Sequence, residues 1–147
     1  MLSILAYMIF NPQFTIENIN RLSVGCMLEH LGIEITAIGE DSITGKMPVD
    51  QRTKQPYGLL HGGASVVLAE SLGSIASSGV VDLTSQTVVG LEINANHLKS
   101  ATSGFVTGKA KPIHLGKRTH VWDIRITNEN NQLVCISRFT VAVIDKK

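Results

Sequence analysis

Apolar and polar residues alternate over 33–38 and again over 42–49, with Gly39-Glu40-Asp41 between them, and this pattern predicts two antiparallel strands joined by a turn. A short helix is expected ahead of them at 15–22. Residues 50–60 are mostly polar and carry Pro56 and Gly58, so they read as a loop. That loop runs into 61–81, HGGASVVLAESLGSIASSGVV, a stretch long enough for about five helical turns. Its residues are small or apolar on nearly every side, the pattern of a helix wrapped by protein. Four segments of strand character follow at 87–98, 104–114, 119–127 and 133–144, with turn-like clusters at 100–103 and 128–131. In the first of them Val89, Leu91, Ile93 and Ala95 alternate with Gly90, Glu92, Asn94 and Asn96, which assigns one set to a packed face and the other to a more polar one. His120, Trp122, Ile124 and Ile126 repeat the alternation. A hairpin, one buried helix and four long strands make an α+β layout in which an antiparallel sheet curls around the helix. A single domain over 1–147 is expected, with an N-terminal segment over 1–30.

Charge removes several functions. Thirteen Lys and Arg against twelve Asp and Glu leave a formal charge of +1, so no global field attracts a polyanion and nucleic acid is not expected as a partner. The apolar opening at 2–10 has no basic residue ahead of it and is too short to cross a bilayer, so a docked terminal segment is expected rather than a targeting signal or a membrane span. Cys26 and Cys135 are too few for a disulfide framework and lack the paired spacing of a zinc site, which fits free thiols in a reducing cytoplasm. No dinucleotide fingerprint, phosphate-binding loop, G-x-S-x-G elbow or H-E-x-x-H motif occurs, so neither a metal nor a separate cofactor is expected.

Candidate chemistry concentrates in the long helix. Glu70 is the only formally charged side chain between His61 and Val81. A carboxylate there is either desolvated, at a cost of several kcal/mol unless hydrogen bonds or a raised pKa relieve it, or it points to a wet edge. Upstream, His61-Gly62-Gly63 stands at the helix entrance, where backbone N–H groups lack partners and a substrate carbonyl can approach glycine closely. Those amides are suited to an acyl-transfer oxyanion, and the same glycines are equally suited to a tight turn. Eight residues from Gly62 to Glu70 span about 12 Å of helix, more than a glutamate side chain bridges. If both act on one carbonyl carbon they come from different subunits, with two helices antiparallel across a two-fold axis. Ser74, four residues beyond Glu70 on the same face, is a helper or a small packing residue. Gln55 orients water or polarises the carbonyl, or is a solvated loop residue, and His61 donates to the carbonyl or is bonded locally.

The runs TKQPYGLLHGGASVVLAESLGS, VVGLEINANH and KPIHLGKR resemble the hot-dog-fold acyl-CoA thioesterases. Within them the chain is most similar to the 1,4-dihydroxy-2-naphthoyl-CoA hydrolases of menaquinone biosynthesis and to the enterobactin-pathway proofreading thioesterases. The resemblance covers about 31–144. It implies that Glu70 is the catalytic carboxylate, as nucleophile or general base, and that the Gly62 amide is the oxyanion contact from the partner subunit. It places Gln55 and His61 near the thioester carbonyl and makes Ser74 a helper in hydrolysis. It further implies a homotetramer built as a dimer of dimers, with coenzyme A received near His97, Lys99, His114, Lys117 and Arg118. The implied reaction is metal-free hydrolysis of an aromatic acyl-CoA. Broad-specificity or proofreading hydrolysis, non-catalytic acyl-CoA binding, and dehydration of a hydroxyacyl thioester are the alternatives. After Ser74 the small run Ile75-Ala76-Ser77-Ser78-Gly79 departs from the bulkier residues common in the family, which widens the expected acyl cavity.

Overall fold

The computed structural model of the protein describes residues 8–147, so most of the apolar opening lies outside the described residues. Two short helices, α1 (Ile16–Leu22) and α2 (Met27–Leu31), precede the hairpin β1 (Glu34–Ile38) and β2 (Ile43–Pro48). The long helix α3 (Gly62–Val80) follows, then β3 (Gln86–His97), β4 (Phe105–Leu115), β5 (Thr119–Asn128) and β6 (Leu133–Asp145). The strands form one sheet in the order β1-β2-β4-β5-β6-β3, every neighbouring pair antiparallel. Helix α3 lies across it and packs chiefly on β2, β3, β4, β5 and β6. The α+β architecture, a sheet curled around one helix, is the one the pattern predicts.

Glycine sets how close helix and sheet come. Gly45 and Gly108 are partners on adjacent strands, and a Cβ on either would stand 3.0 and 2.7 Å from the Leu72 methyls. They form a hollow for that side chain. In the other direction Gly73 makes room for Phe139, whose ring lies 2.4 Å from where a Gly73 Cβ would be. Leu68, Leu72 and Ala76 are thereby turned to the sheet, where they join Met47, Trp122, Ile124 and Phe139 in a fully buried core. Fixing this face of α3 also fixes the opposite one, which holds Gly63, Glu70, Ser74 and Ser78 at helical spacing.

The open face corrects two expectations. Helix α3 is not wrapped on all sides: Glu70 is exposed, and Val66, Val67, Ser71 and Ser74 are only half-buried. Strand β3 does not keep a strict alternation either, because a bulge between Gly90 and Glu92 shifts its phase. Gly90, Ile93 and Ala95 follow the inward residues of β6, whereas Val89 and Leu91 are 47% and 63% exposed.

The N-terminal arm is tied to the far end of α3. Asn11 gives both its backbone N–H and its side-chain amide to the Gly79 carbonyl, at 2.8 and 3.0 Å. Phe14 packs where Gly79 has no Cβ and stacks on Phe10, ring centroids 4.7 Å apart. Thr15 caps α1 by accepting from the Asn18 N–H, and Asn20 exchanges two 2.9 Å bonds with the Ile35 backbone, substituting for a missing strand beside β1.

Candidate active site

The loop before α3 is braced from both ends. Arg52 forks onto Asp50, and its hydrogen bonds hold that carboxyl below the ordinary carboxylate range. Buried Thr53 donates its hydroxyl to the Pro48 carbonyl and receives the His61 N–H on its own carbonyl. Between these anchors Gln55 accepts from the Tyr57 N–H through Oε1, which leaves its side-chain NH₂ as the free donor.

At the helix entrance His61 is the N-cap, its Nδ1 accepting from the Gly63 N–H at 2.8 Å. That bond places the imidazole proton on Nε2, the nitrogen turned away from the cap. The Ala64 and Ser65 amides both reach the His61 carbonyl. Among the described residues the Gly62 N–H alone of these has no acceptor. His97, at the end of β3, stands over it, with Nε2 2.7 Å from where a Gly62 Cβ would be. A pocket of about 350 Å³ joins Gln55, Gly62, Ser65, His97 and Lys99 at this end of the protein.

Glu70 lies two turns further along, next to β3. A Cβ on Gly90 would stand 3.0 Å from Glu70 Oε1, so the glycine at the bulge gives the carboxylate its clearance. Sequence reasoning missed Gly90 as part of the site, although an isolated glycine inside a strand is the usual sign of a bulge or close approach. Ser74 shares the open face with Glu70, and its carbonyl accepts from the Ser78 hydroxyl at 3.0 Å.

The residues expected at coenzyme A divide into two groups. His97 and Lys99 belong to the Gly62 end. His114 packs over Gly116 in the β4–β5 turn that also carries Lys117 and Arg118, and the Arg118 carbonyl accepts from the Val143 N–H. Thr119 lies beside Ala142 and Ala142 beside Val89, so the turn is level with the first part of β3, while His97 is eight residues away. At about 3.3 Å per residue that is ~26 Å along the strand. One protomer therefore does not gather all five into one patch.

Beneath α3 lies a buried polar chain that sequence reasoning did not single out. Ser77 Oγ accepts from Trp122 Nε1 at 2.8 Å and shares a 3.1 Å hydrogen bond with His120 Nδ1. Burial, and secondarily the charge of His114, lowers the His120 pKa, and burial raises that of the Cys135 thiol. The other cysteine, Cys26, is exposed, and both are free thiols. Among the described residues no three His, Cys, Asp or Glu side chains are grouped as metal ligands, and no helix is long and apolar enough to cross a membrane.

The sequence profile of the thioesterase superfamily matches residues 57–135, the end of the loop, α3, β3, β4, β5 and the start of β6. The chain belongs to that superfamily. Its fold is the hot-dog fold, and like its relatives it is a thioester hydrolase. One relative, the 1,4-dihydroxy-2-naphthoyl-CoA hydrolase of Escherichia coli, is 52% identical over 93% of this chain and 100% of its own length. The proofreading thioesterase EntH of Cronobacter turicensis is 47% identical over 93% of this chain and 99% of its own. The crystal structure of a thioesterase from Haemophilus influenzae superposes with a TM-score of 0.91 at 53% identity, covering 94% of this chain and 96% of that one.

Proposed function

We propose that the protein hydrolyses an aromatic acyl-CoA, 1,4-dihydroxy-2-naphthoyl-CoA first among them, at a site shared between two subunits. The observation that carries this reading is an unanswered Gly62 N–H and an exposed Glu70 on one open face, about 12 Å apart along the same helix. Neither reaches the other's carbonyl within one chain. A two-fold axis that brings Glu70 to the partner's Gly62 crosses the helices near residue 66, where the open face carries half-buried Val66 and Val67. Glu70 adjoins Gly90 and Gly62 adjoins His97, so the same axis crosses β3 near Ile93 and Asn94. Strand β3 is the free edge of the sheet beside that face, so antiparallel pairing with its own copy satisfies the same symmetry. A dimer of dimers, with the exposed Val89, Leu91 and Ile113 among the sheet residues available for a second contact, completes the reading.

At this site the thioester carbonyl oxygen accepts from the Gly62 N–H of one subunit, with the Gln55 amide as a second donor. As general base, Glu70 of the other subunit removes a proton from water as the water oxygen bonds to the acyl carbon. The tetrahedral oxyanion collapses, the C–S bond breaks, and the thiolate of coenzyme A takes the proton from Glu70. As nucleophile, Glu70 would instead form a mixed anhydride that water opens, with the same products. Thioesters are activated enough for one carboxylate and preorganised donors, and coenzyme A is part of the substrate rather than a cofactor. Glu70→Gln should lower thiol release from a hydroxynaphthoyl-CoA by about 10²–10⁴-fold. Turnover at the wild-type rate would reject Glu70, and ligand binding without product from the unaltered protein would make it an acyl-CoA-binding module.

A further inference from the structure

One polar contact ties the second half of α3 to the sheet. The bonds of Ser77 to His120 and Trp122 are the only side-chain hydrogen bonds between α3 and a strand among the described residues, and all three side chains are buried. We infer that this chain positions Glu70, and that it opens when His120 takes up a proton, so that acid slows hydrolysis by loosening α3 as well as by protonating the base. The inference rests on the reading of Glu70 as the group that acts on the thioester.

A proton inventory gives the chain its direction. Trp122 Nε1 can only donate, so Ser77 Oγ accepts from it. The Ser77 hydroxyl proton then needs an acceptor, and among the described residues His120 Nδ1 is its only partner. The imidazole proton is therefore on Nε2. An imidazolium carries a proton on both nitrogens. Once His120 is charged, it and Trp122 both donate to the Ser77 oxygen, and the Ser77 proton is left without an acceptor at a site closed to solvent. Burial and the charge of His114 on β4 oppose that protonation, while the Gly116 backbone favours it. The remaining neighbours are uncharged: Ser77 from α3, Leu115 across on β4 and Val141 on β6. Lys117 and Arg118 of the adjoining turn are exposed.

The anchor lies on the line that carries Glu70. Seven residues are two helical turns less about 20°, so Ser77 shares the azimuth of Glu70 about 10 Å further along α3. The sheet repeats the match: Gly90, which gives Glu70 its clearance, pairs with Val141, and Val141 pairs with His120. The first half of α3 is locked by Leu68 and Leu72, which fill the space at Gly108 and Gly45. From Gly73 to Gly79 only Ile75 is larger than serine, so hydrogen bonds rather than bulk hold that half. A displacement of about 1 Å at a reacting group can cost about 10²-fold in rate.

Trp122 is the single tryptophan of the chain, so its fluorescence reports on the anchor directly. The test follows that fluorescence, and thiol release from hydroxynaphthoyl-CoA, across pH 5–8 in the full chain, in His120→Asn and in Ser77→Ala. Asparagine Oδ1 accepts from Ser77 as Nδ1 does, but does not titrate. Fluorescence of the unaltered protein should inflect below about pH 6.5, the ordinary histidine value, and that of His120→Asn should not. The kcat of His120→Asn should match that of the unaltered protein at pH 8 within about twofold and exceed it severalfold at pH 5, and Ser77→Ala should lose about tenfold in kcat with KM within about twofold. A flat fluorescence titration, an inflection retained in His120→Asn, or superimposable pH profiles of kcat each overturn the inference, as does full kcat in Ser77→Ala. Undiminished turnover by Glu70→Gln would instead sink the reading of Glu70 and leave the indole titration standing.

Discussion

Proline at position 62 removes one atom from the proposed site and leaves the helix. Gly62 is the first residue of α3, where proline is favoured and its missing N–H leaves no helical bond unmade. The preceding His61 has φ −68° and ψ 131°, the extended backbone a following proline requires. Gly62→Ala is the matched control: it adds the same Cβ, 2.7 Å from His97 Nε2, but keeps the amide. His97 is exposed and can swing aside, so alanine tests crowding and proline tests crowding plus the lost donor. Loss of one oxyanion donor is worth about 3 kcal/mol, so the proline variant should turn over about 10²–10³-fold more slowly than the alanine variant.

Mixing then decides where the two groups come from. Equal amounts of Gly62→Pro and Glu70→Gln chains, unfolded and refolded together, form mixed dimers in about half the molecules. In each mixed dimer the proline chain supplies Glu70 and the other supplies the Gly62 amide, giving one complete site of two. Thiol release should therefore recover to about a quarter of the wild-type value, against about 1% or less for either parent alone. A mixture no more active than the sum of its parents would refute the division between subunits, and the two-fold placed near residue 66 with it.

Two further outcomes concern the buried chain under α3. Ser77→Ala removes the acceptor of the Trp122 N–H at a site closed to water, and should lower unfolding free energy by about 2 kcal/mol in urea titration. His120 carries a lowered pKa in the folded protein, so below about 6.5 the unfolded chain binds the proton first and stability falls as pH drops, at up to about 1.4 kcal/mol per pH unit until the folded value is reached. Above that pH the group contributes no dependence, and His120→Gln should flatten the acid limb measured by thermal unfolding across pH 5–8.

The long elements were legible because their patterns are long. Nineteen helical residues of α3 and the extended runs of β4, β5 and β6 carry enough period to place each element, and His120, Trp122, Ile124 and Ile126 are all buried on one face. Helix α2 escaped: it has five residues and no side-chain N-cap, and its signal is Gly32 in the left-handed conformation at its end. The phase of β3 escaped because one bulge residue reverses every side chain after it, and composition does not show where a bulge is inserted. Whether Glu70 is desolvated or at a wet edge stayed open in the sequence for a related reason. Small residues on a helix signal close approach, but not on which side, and here Gly73 and Gly79 accommodate Phe139 and Phe14, Ser65 and Ser77 are buried, and Ser71, Ser74 and Ser78 line the open face. The division of the basic residues follows from strand pairing, which joins His97 to Cys135 and leaves the β4–β5 turn at the opposite end of the sheet.

An exposed Glu70 strengthens the shared site. A carboxylate sealed inside its own chain would carry the desolvation penalty without being able to face another copy's amide. One left on an open helix stripe remains hydrated until a second chain covers it. The covering surface must bring compensating donors, and the helix entrance at Gly62 has an unanswered one. The dry environment that makes an oxyanion donor effective is then created by assembly rather than by folding. In that arrangement the apolar residues near the axis, Val66 and Val67, do more than hold two chains together, because closing water out between them fixes the separation of carboxylate and amide. The fold supplies rigid placement through Leu72 in its glycine hollow and Phe139 over Gly73, and the proposed two-fold would supply the distance that one helix cannot.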